Sequence, residues 1–205
     1  MNNIVFFDIE TTPNLDAVNL LPEPTAPANY KDPAKIAEYI AEKKEDQISG
    51  MALDPDFCKV KSIAVKVDGH AIEVILVGDH TEAEVISWFW SVAKESYQIC
   101  GYNIIGFDLP VLMRRSMELG IKPPMVYQLS KYKTDNVLDL MGILYNWSGF
   151  KGLKFLAKRY GISETAEGIT GAMVDQLSPE ELANYNAADV QKVYELYKKM
   201  QGIYF

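Results

Sequence analysis

At 205 residues the chain is most simply one domain, long enough to bury a substantial core. Its 48% hydrophobic and 23% charged residues suit a globular protein; no apolar run reaches bilayer-spanning length, and no basic segment with an apolar core opens the chain. A formal charge of −8 argues against a general nucleic-acid coat, which is basic, but leaves open an enzyme that grips a short stretch of strand through metal ions.

The first element is a strand, Ile4-Val5-Phe6-Phe7, running straight into Asp8-Ile9-Glu10-Thr11-Thr12. Side chains alternate along a strand, so Asp8 and Glu10 share one side while Phe7 and Ile9 take the other. Two acids on one face of a buried strand repel each other and are costly to desolvate, and a bound divalent cation with hard oxygen ligands is the usual compensation. The competing reading is two solvated acids where the strand ends, the commoner fate of an isolated Asp-x-Glu. An interruption follows over about 13–57, with five prolines between Pro13 and Pro33. Within it Asp32 and Pro33 open a helix to about Glu45 as N-cap and first helical residue, with an apolar stripe of Ile36, Ala37 and Ile40. The insertion is too short for a core of its own. It is either a surface excursion or a flap whose Ala28-Asn29-Tyr30 and helix fold over a substrate.

Next come a hairpin, with strands over 59–67 and 71–77 joined at Asp68-Gly69, and a helix opened by the capping box Thr81-Glu82-Ala83-Glu84. A short strand over 98–102 precedes a helix over about 108–119 that Gly120 ends. A strand end over 136–140, a helix over 153–160 stopped at Gly161, and a helix from the Ser178-Pro179-Glu180-Glu181 box to about Met200 complete the chain. Hairpin strands followed by alternating strands and helices predict an α/β fold, a mixed sheet flanked by helices. Cys58 and Cys100 stand far apart beside apolar residues and read as reduced, packed thiols, which suits a cytoplasmic setting. His70 and His80 read as turn residues, and with no Cys/His cluster a structural zinc site is not expected.

Two further clusters carry chemistry. In Asn103-Ile104-Ile105-Gly106-Phe107-Asp108, a carboxylate sits where a helix starts; taken alone, Asp108 reads as the N-cap. In Tyr185-Asn186-Ala187-Ala188-Asp189, four-residue spacing puts Tyr185 and Asp189 on one helical face that continues inward through Val193 and Leu196. An inward aspartate needs a partner, whereas an inward tyrosine is ordinary core.

Taken together, Asp-x-Glu, Asn-x3-Phe-Asp and Tyr-x3-Asp resemble, in order and content, the three motifs of the DEDD 3′–5′ exonucleases, tyrosine subgroup. The chain is similar to stand-alone domains resembling the proofreading exonuclease of family B DNA polymerases, including phage-encoded ones, and Asn136-Val137-Leu138-Asp139-Leu140 and the stretch from Gly152 to Ile162 look like the segments between their second and third motifs. The insertion departs from that compact pattern. The resemblance implies a ribonuclease H-like fold in which Asp8, Glu10, Asp108 and Asp189 hold two Mg²⁺ or Mn²⁺ ions and Tyr185 orients the attacking water, a task Glu10 would share. It implies a nucleic-acid partner, first a single-stranded DNA 3′ end, with release of nucleoside 5′-monophosphates; a replication or repair protein is a further expected partner, and a membrane is not. Thr11, Asn103, Phe107 and Lys154 are candidate substrate contacts, Phe107 by stacking or else by packing in the core. Arg114-Arg115, Lys131, Lys133, Lys151, Lys158 and Arg159 read as solvated surface, with Lys151 a further phosphate candidate. The alternatives are a catalytically inactive binding module of the same fold and an RNA-directed exonuclease.

Overall fold

A ten-residue strand, β1 (Ile4–Pro13), runs through the middle of the sheet because its side chains are buried on both faces. The computed structural model describes residues 3–131, 133, 135–162 and 171–205. On one side β1 pairs antiparallel with β2 (Cys58–Val67), which turns back into β3 (Ile72–Leu76). On the other it pairs in parallel with β4 (Gln98–Gly101), and β4 in turn with β5 (Val137–Asp139). The order is β3-β2-β1-β4-β5. Among the described residues no helix is long and apolar enough to cross a membrane.

Alternation along β1 sorts the core into two layers. Val5, Phe7 and Ile9 face α2 (Glu82–Lys94) and α3 (Asp108–Leu119), where Phe7 meets Phe89 with centroids 4.7 Å apart. Phe6 faces α5 (Leu153–Tyr160) and α6 (Pro179–Met200) and takes Tyr194 and Tyr197 edge-on. Burying each of these phenylalanines contributes roughly 1.5–3 kcal/mol. The helices start and stop where local chemistry dictates. Thr81 and Ser178 form the expected capping boxes of α2 and α6, and α3 and α5 end at Gly120 and Gly161 in the left-handed conformation.

Three local expectations are corrected. The basic pair Arg114-Arg115 does not stand wholly in solvent: Arg115 is 4% exposed, and its guanidinium bonds Glu82 through Nε at 2.9 Å and Nη2 at 2.7 Å, tying α3 to the start of α2. The strand predicted over 136–140 ends at Asp139, whose carboxylate caps a short helix, α4 (Leu140–Tyr145), by accepting from Met141 and Gly142 N–H. In the insertion, α1 (Pro33–Gly50) starts at Asp32 and Pro33 as expected but runs five residues past Glu45, a stretch in which Gln47 donates to the Pro22 carbonyl.

The insertion is closed at its base. Asn14 N–H donates to the Phe57 carbonyl at 2.8 Å, and Met51, in the 3-10 turn Met51–Leu53, is 1% exposed. No residue of α1 is buried, and Tyr30 turns back to meet Tyr39 edge-on, rather than joining the residues around the carboxylates.

The close approach of β4 to β1 depends on Gly101. A Cβ there would lie 2.2 Å from Ile104 Cγ2 and 3.0 Å from the Phe7 carbonyl oxygen, so any side chain forces the strand or the loop behind it to shift. Gly101→Ala is expected to lose about 1–3 kcal/mol in urea unfolding, the usual cost of overpacking. An unchanged midpoint would show that Ile104 yields without cost.

Candidate active site

The alternation that buries Phe6 under α6 also turns Asp8 and Glu10 toward that helix. Their neighbours across β2 are Ala64 and Ser62, small enough to let α6 approach, and the register with β2 shifts between Glu10 and Thr11, just past the second acid. From the opposite side Tyr185, Asn186 and Asp189 project from α6. One oxygen each from Asp8, Glu10 and Asp189 lies within 4.8 Å of the others, close enough to share an ion.

Asp108 reaches the same place from the other layer. It is not the N-cap: that position belongs to Phe107, whose side chain caps nothing, and Asp108 is the first residue of α3. Its Oδ1 accepts the Ile9 N–H at 3.3 Å. β1 pairs with β4 only as far as Phe6, so beyond that point the backbone of β1 takes a side-chain partner instead. The bond fixes Asp108 beside the residue that separates Asp8 from Glu10.

These acids stand at the margin of a dry core, and their electrostatics follow. Burial first, then the charges of Glu10, Asp108 and Asp189, pushes Asp8 well above the usual carboxylate range, against the hydrogen bond from Asn186. Burial, then Asp189 and Asp108, raises Glu10 to about 8, with Lys154 and Lys61 pulling the other way. Burial raises Asp108 to about 7, opposed by backbone N–H groups including that of Ile9. Tyr185 is 5% exposed; burial, then Asp189, Glu10 and Asp8, holds its hydroxyl well above the ordinary phenol value, so it stays protonated and acts as a donor.

The remaining sequence candidates fall in three places. Asn103 and Phe107 line a cleft of about 570 Å³ whose other walls include Asp8, Asp108, Tyr185 and Leu53; Phe107 also packs against the core, the second of the roles expected for it. Lys154 sits on α5 with its ammonium 5.7 Å from the centre of the Tyr185 ring. Thr11 is turned away: its hydroxyl donates to the Ala52 carbonyl at 2.6 Å and ties β1 to the base of the insertion.

Three residues at the site escaped the sequence reading. Asn186, fully buried, donates from Nδ2 to Asp8 Oδ2 at 2.8 Å while its Oδ1 accepts from Ser62 Oγ at 2.9 Å. Lys192, also fully buried, places its ammonium 2.8 Å from Asp189 Oδ1. Asp139 accepts from Asn103 and Ile105 N–H, both at 3.0 Å, and so holds the turn in which Asn103 adopts φ 65°. A signal existed for Asn186 and Lys192: each is a polar residue next to inward-facing positions of α6. Asp139 lies in a segment the resemblance had already marked.

Residues 53–204 match the family described as a predicted 3′–5′ exonuclease related to the exonuclease domain of PolB. Among solved structures, the family B DNA polymerase from the hyperthermophilic archaeon Pyrobaculum calidifontis aligns with a TM-score of 0.66 over 98% of this chain at 24% identity. The chain spans 24% of that polymerase's length, and the likeness is one of fold: the mixed five-stranded sheet flanked by helices is the ribonuclease H-like arrangement of a PolB exonuclease domain. No curated protein matches the chain. With three quarters of its length matched, from the base of the insertion to the end of α6, the chain belongs to the family of predicted 3′–5′ exonucleases related to the exonuclease domain of PolB.

Proposed function

We propose that the chain is a two-metal-ion 3′–5′ exonuclease that removes nucleoside 5′-monophosphates from single-stranded DNA, with residues 1–205 forming a single exonuclease domain and about 13–57 inserted in it. The observation that carries this reading is the convergence of Asp8, Glu10 and Asp189 oxygens within 4.8 Å, with Asp108 bonded to the strand between the first two. Acids held this close in a dry setting resist ionising together, and divalent cations offset that cost. All four offer hard oxygen, which suits Mg²⁺ or Mn²⁺. Asp8, Glu10, Asp108 and Asp189 are the residues that would hold two such ions. When bound, the ions supply Lewis-acid polarisation of the scissile phosphodiester and a nucleophile available at neutral pH.

The chain's own groups do the positioning. Asn186 locks the Asp8 carboxylate, and the Ile9 N–H locks that of Asp108, so both acids are fixed before substrate arrives. Tyr185, protonated and facing the acids, donates a hydrogen bond that orients the attacking water. Phe107 and Leu53 offer the terminal bases an apolar surface, a contact that tolerates sequence. Asn103 and Lys151 line the same cleft, and the charge of Lys154 is felt by Glu10.

Degradation of a 5′-labelled single-stranded DNA in Mg²⁺ or Mn²⁺ tests the proposal. The expected result is a ladder shortening from the 3′ end, abolished by chelator and by Asp8→Ala. Full-length DNA and RNA with either metal refutes it, and preferential shortening of the RNA moves the substrate to RNA. Tyr185→Phe keeps the ring but removes the donor, and is expected to lower kcat by about 10²-fold with little change in KM. An unchanged kcat would remove Tyr185 from the chemistry.

The raised acids also fix a pH dependence. Glu10 and Asp108 bind protons more tightly folded than unfolded, so the stability they confer is complete below about 4 and is lost as pH rises through about 7 to 8. In chelator the Tm is therefore expected to fall between pH 5 and pH 8, and added Mn²⁺ is expected to raise it more at pH 8 than at pH 5. A metal-independent Tm at pH 8 would speak against a cation among these acids.

A further inference from the structure

Lys192 is wholly buried on α6, between Val190 and Val193, which are equally buried. A lysine in such a setting is costly unless its charge is paired, and an apolar side chain of similar size would pack there at less cost. Its presence is therefore not explained by packing. Its partner is Asp189 one helical turn back, at 2.8 Å, and the pair straddles a boundary: the ammonium side chain is 0% exposed and the carboxylate side chain 15%. Asp189 is also one of the three acids whose oxygens converge. The contrast with Asp8 is informative, since Asp8 is held by the neutral amide of Asn186.

We propose that Lys192 is an internal counter-charge that occupies one oxygen of Asp189, competes with an incoming divalent cation for that carboxylate, and so sets the affinity of the cation site. The proposal rests on the cation site argued above and deepens it. With Oδ1 engaged by the ammonium, Asp189 approaches a cation with less free charge than an unpaired carboxylate. The same contact neutralises part of the acid cluster when no cation is bound, so the fold does not depend on the metal for its assembly. Lys192 acts through Asp189 and is a positioning residue; it does not line the cleft.

The test is calorimetric titration of Mn²⁺ into metal-stripped wild type, Lys192→Met and Lys192→Gln, with Tm recorded without cation and at saturation. Removing a positive charge one carboxylate away from a divalent ion is expected to tighten Mn²⁺ binding by about tenfold or more in both variants. Their Tm is expected to fall below wild type in chelator and to return close to it at saturating Mn²⁺. Unchanged or weaker Mn²⁺ binding overturns the proposal and leaves the exonuclease reading standing. Failure of both variants to fold even with saturating Mn²⁺ also overturns it, by showing that the lysine serves the fold. Absence of Mn²⁺ binding in wild type removes the cation site, and the inference with it.

Discussion

Mutual repulsion among Asp8, Glu10 and Asp189 at the edge of a dry core is the constraint that the surrounding structure answers. The sheet creates the problem: the period of two that buries Phe6 beneath α6 must aim the next two side chains of that parity, Asp8 and Glu10, at the same helix. The neighbours then supply compensation in different forms. Asn186 gives Asp8 an amide donor, and Lys192 gives Asp189 an ammonium. Glu10 feels Lys154 and Lys61 from farther away. Compensation is partial, and Asp8, Glu10 and Asp108 stay raised, so the pocket retains an appetite for positive charge.

The two helical layers divide the work. α6 lies over β1 on one face and delivers Tyr185, Asn186 and Asp189; α3 belongs to the other face and delivers Asp108. They meet where β1 outruns β4, since past Phe6 the strand pairs with β2 alone and its other edge is open. Carboxylates fill the backbone vacancies that such a divergence creates. Asp108 accepts from Ile9, and Asp139, at the end of the neighbouring strand, accepts from Asn103 and Ile105. Gly101 lets β4 end closely enough for that turn to form, because a Cβ would strike Ile104. One geometrical feature, the parting of two parallel strands, thus places both Asp108 and the turn that leads to it.

Legibility in the sequence follows the range of the interaction that decides each feature. Thr81 with Glu84, Ser178 with Glu181, and Asp32 with Pro33 are decided within three residues, and the helices start there. Alternation along β1 is equally local, so the shared face of Asp8 and Glu10 was readable. The N-cap reading of Asp108 taken alone fails because capping is a local rule, whereas its partner, Ile9, is 99 residues away. The burial of Arg115 and Lys192 follows a related rule: a basic residue on an amphipathic helix is solvated by default, and the packing of α3 against α2, or of α6 against the sheet, buries it. Thr11 shows the same limit, since its hydroxyl goes to Ala52 across the whole insertion.

The insertion meets the cleft through its base, not through its helix. Met51 is buried, Ala52 accepts from Thr11, and Leu53 reaches the cleft wall, three consecutive residues doing three different jobs. The segment between Asn14 and that turn is closed by the Asn14–Phe57 backbone bond and tied to β2 by the Asp16–Lys59 ion pair, with α1 burying no residue of its own. A closure of this kind lets chain length vary above the clamp at small cost, because loop entropy grows only slowly with length. The match to the exonuclease family begins at residue 53, where the chain comes back to the cleft, while β1 and its two acids lie on the far side of the excursion. Shape alone carries the likeness across that gap, since the archaeal polymerase aligns with 98% of the chain, β1 included. The insertion thus interrupts the sequence between the first pair of acids and the rest of the site without separating them in space.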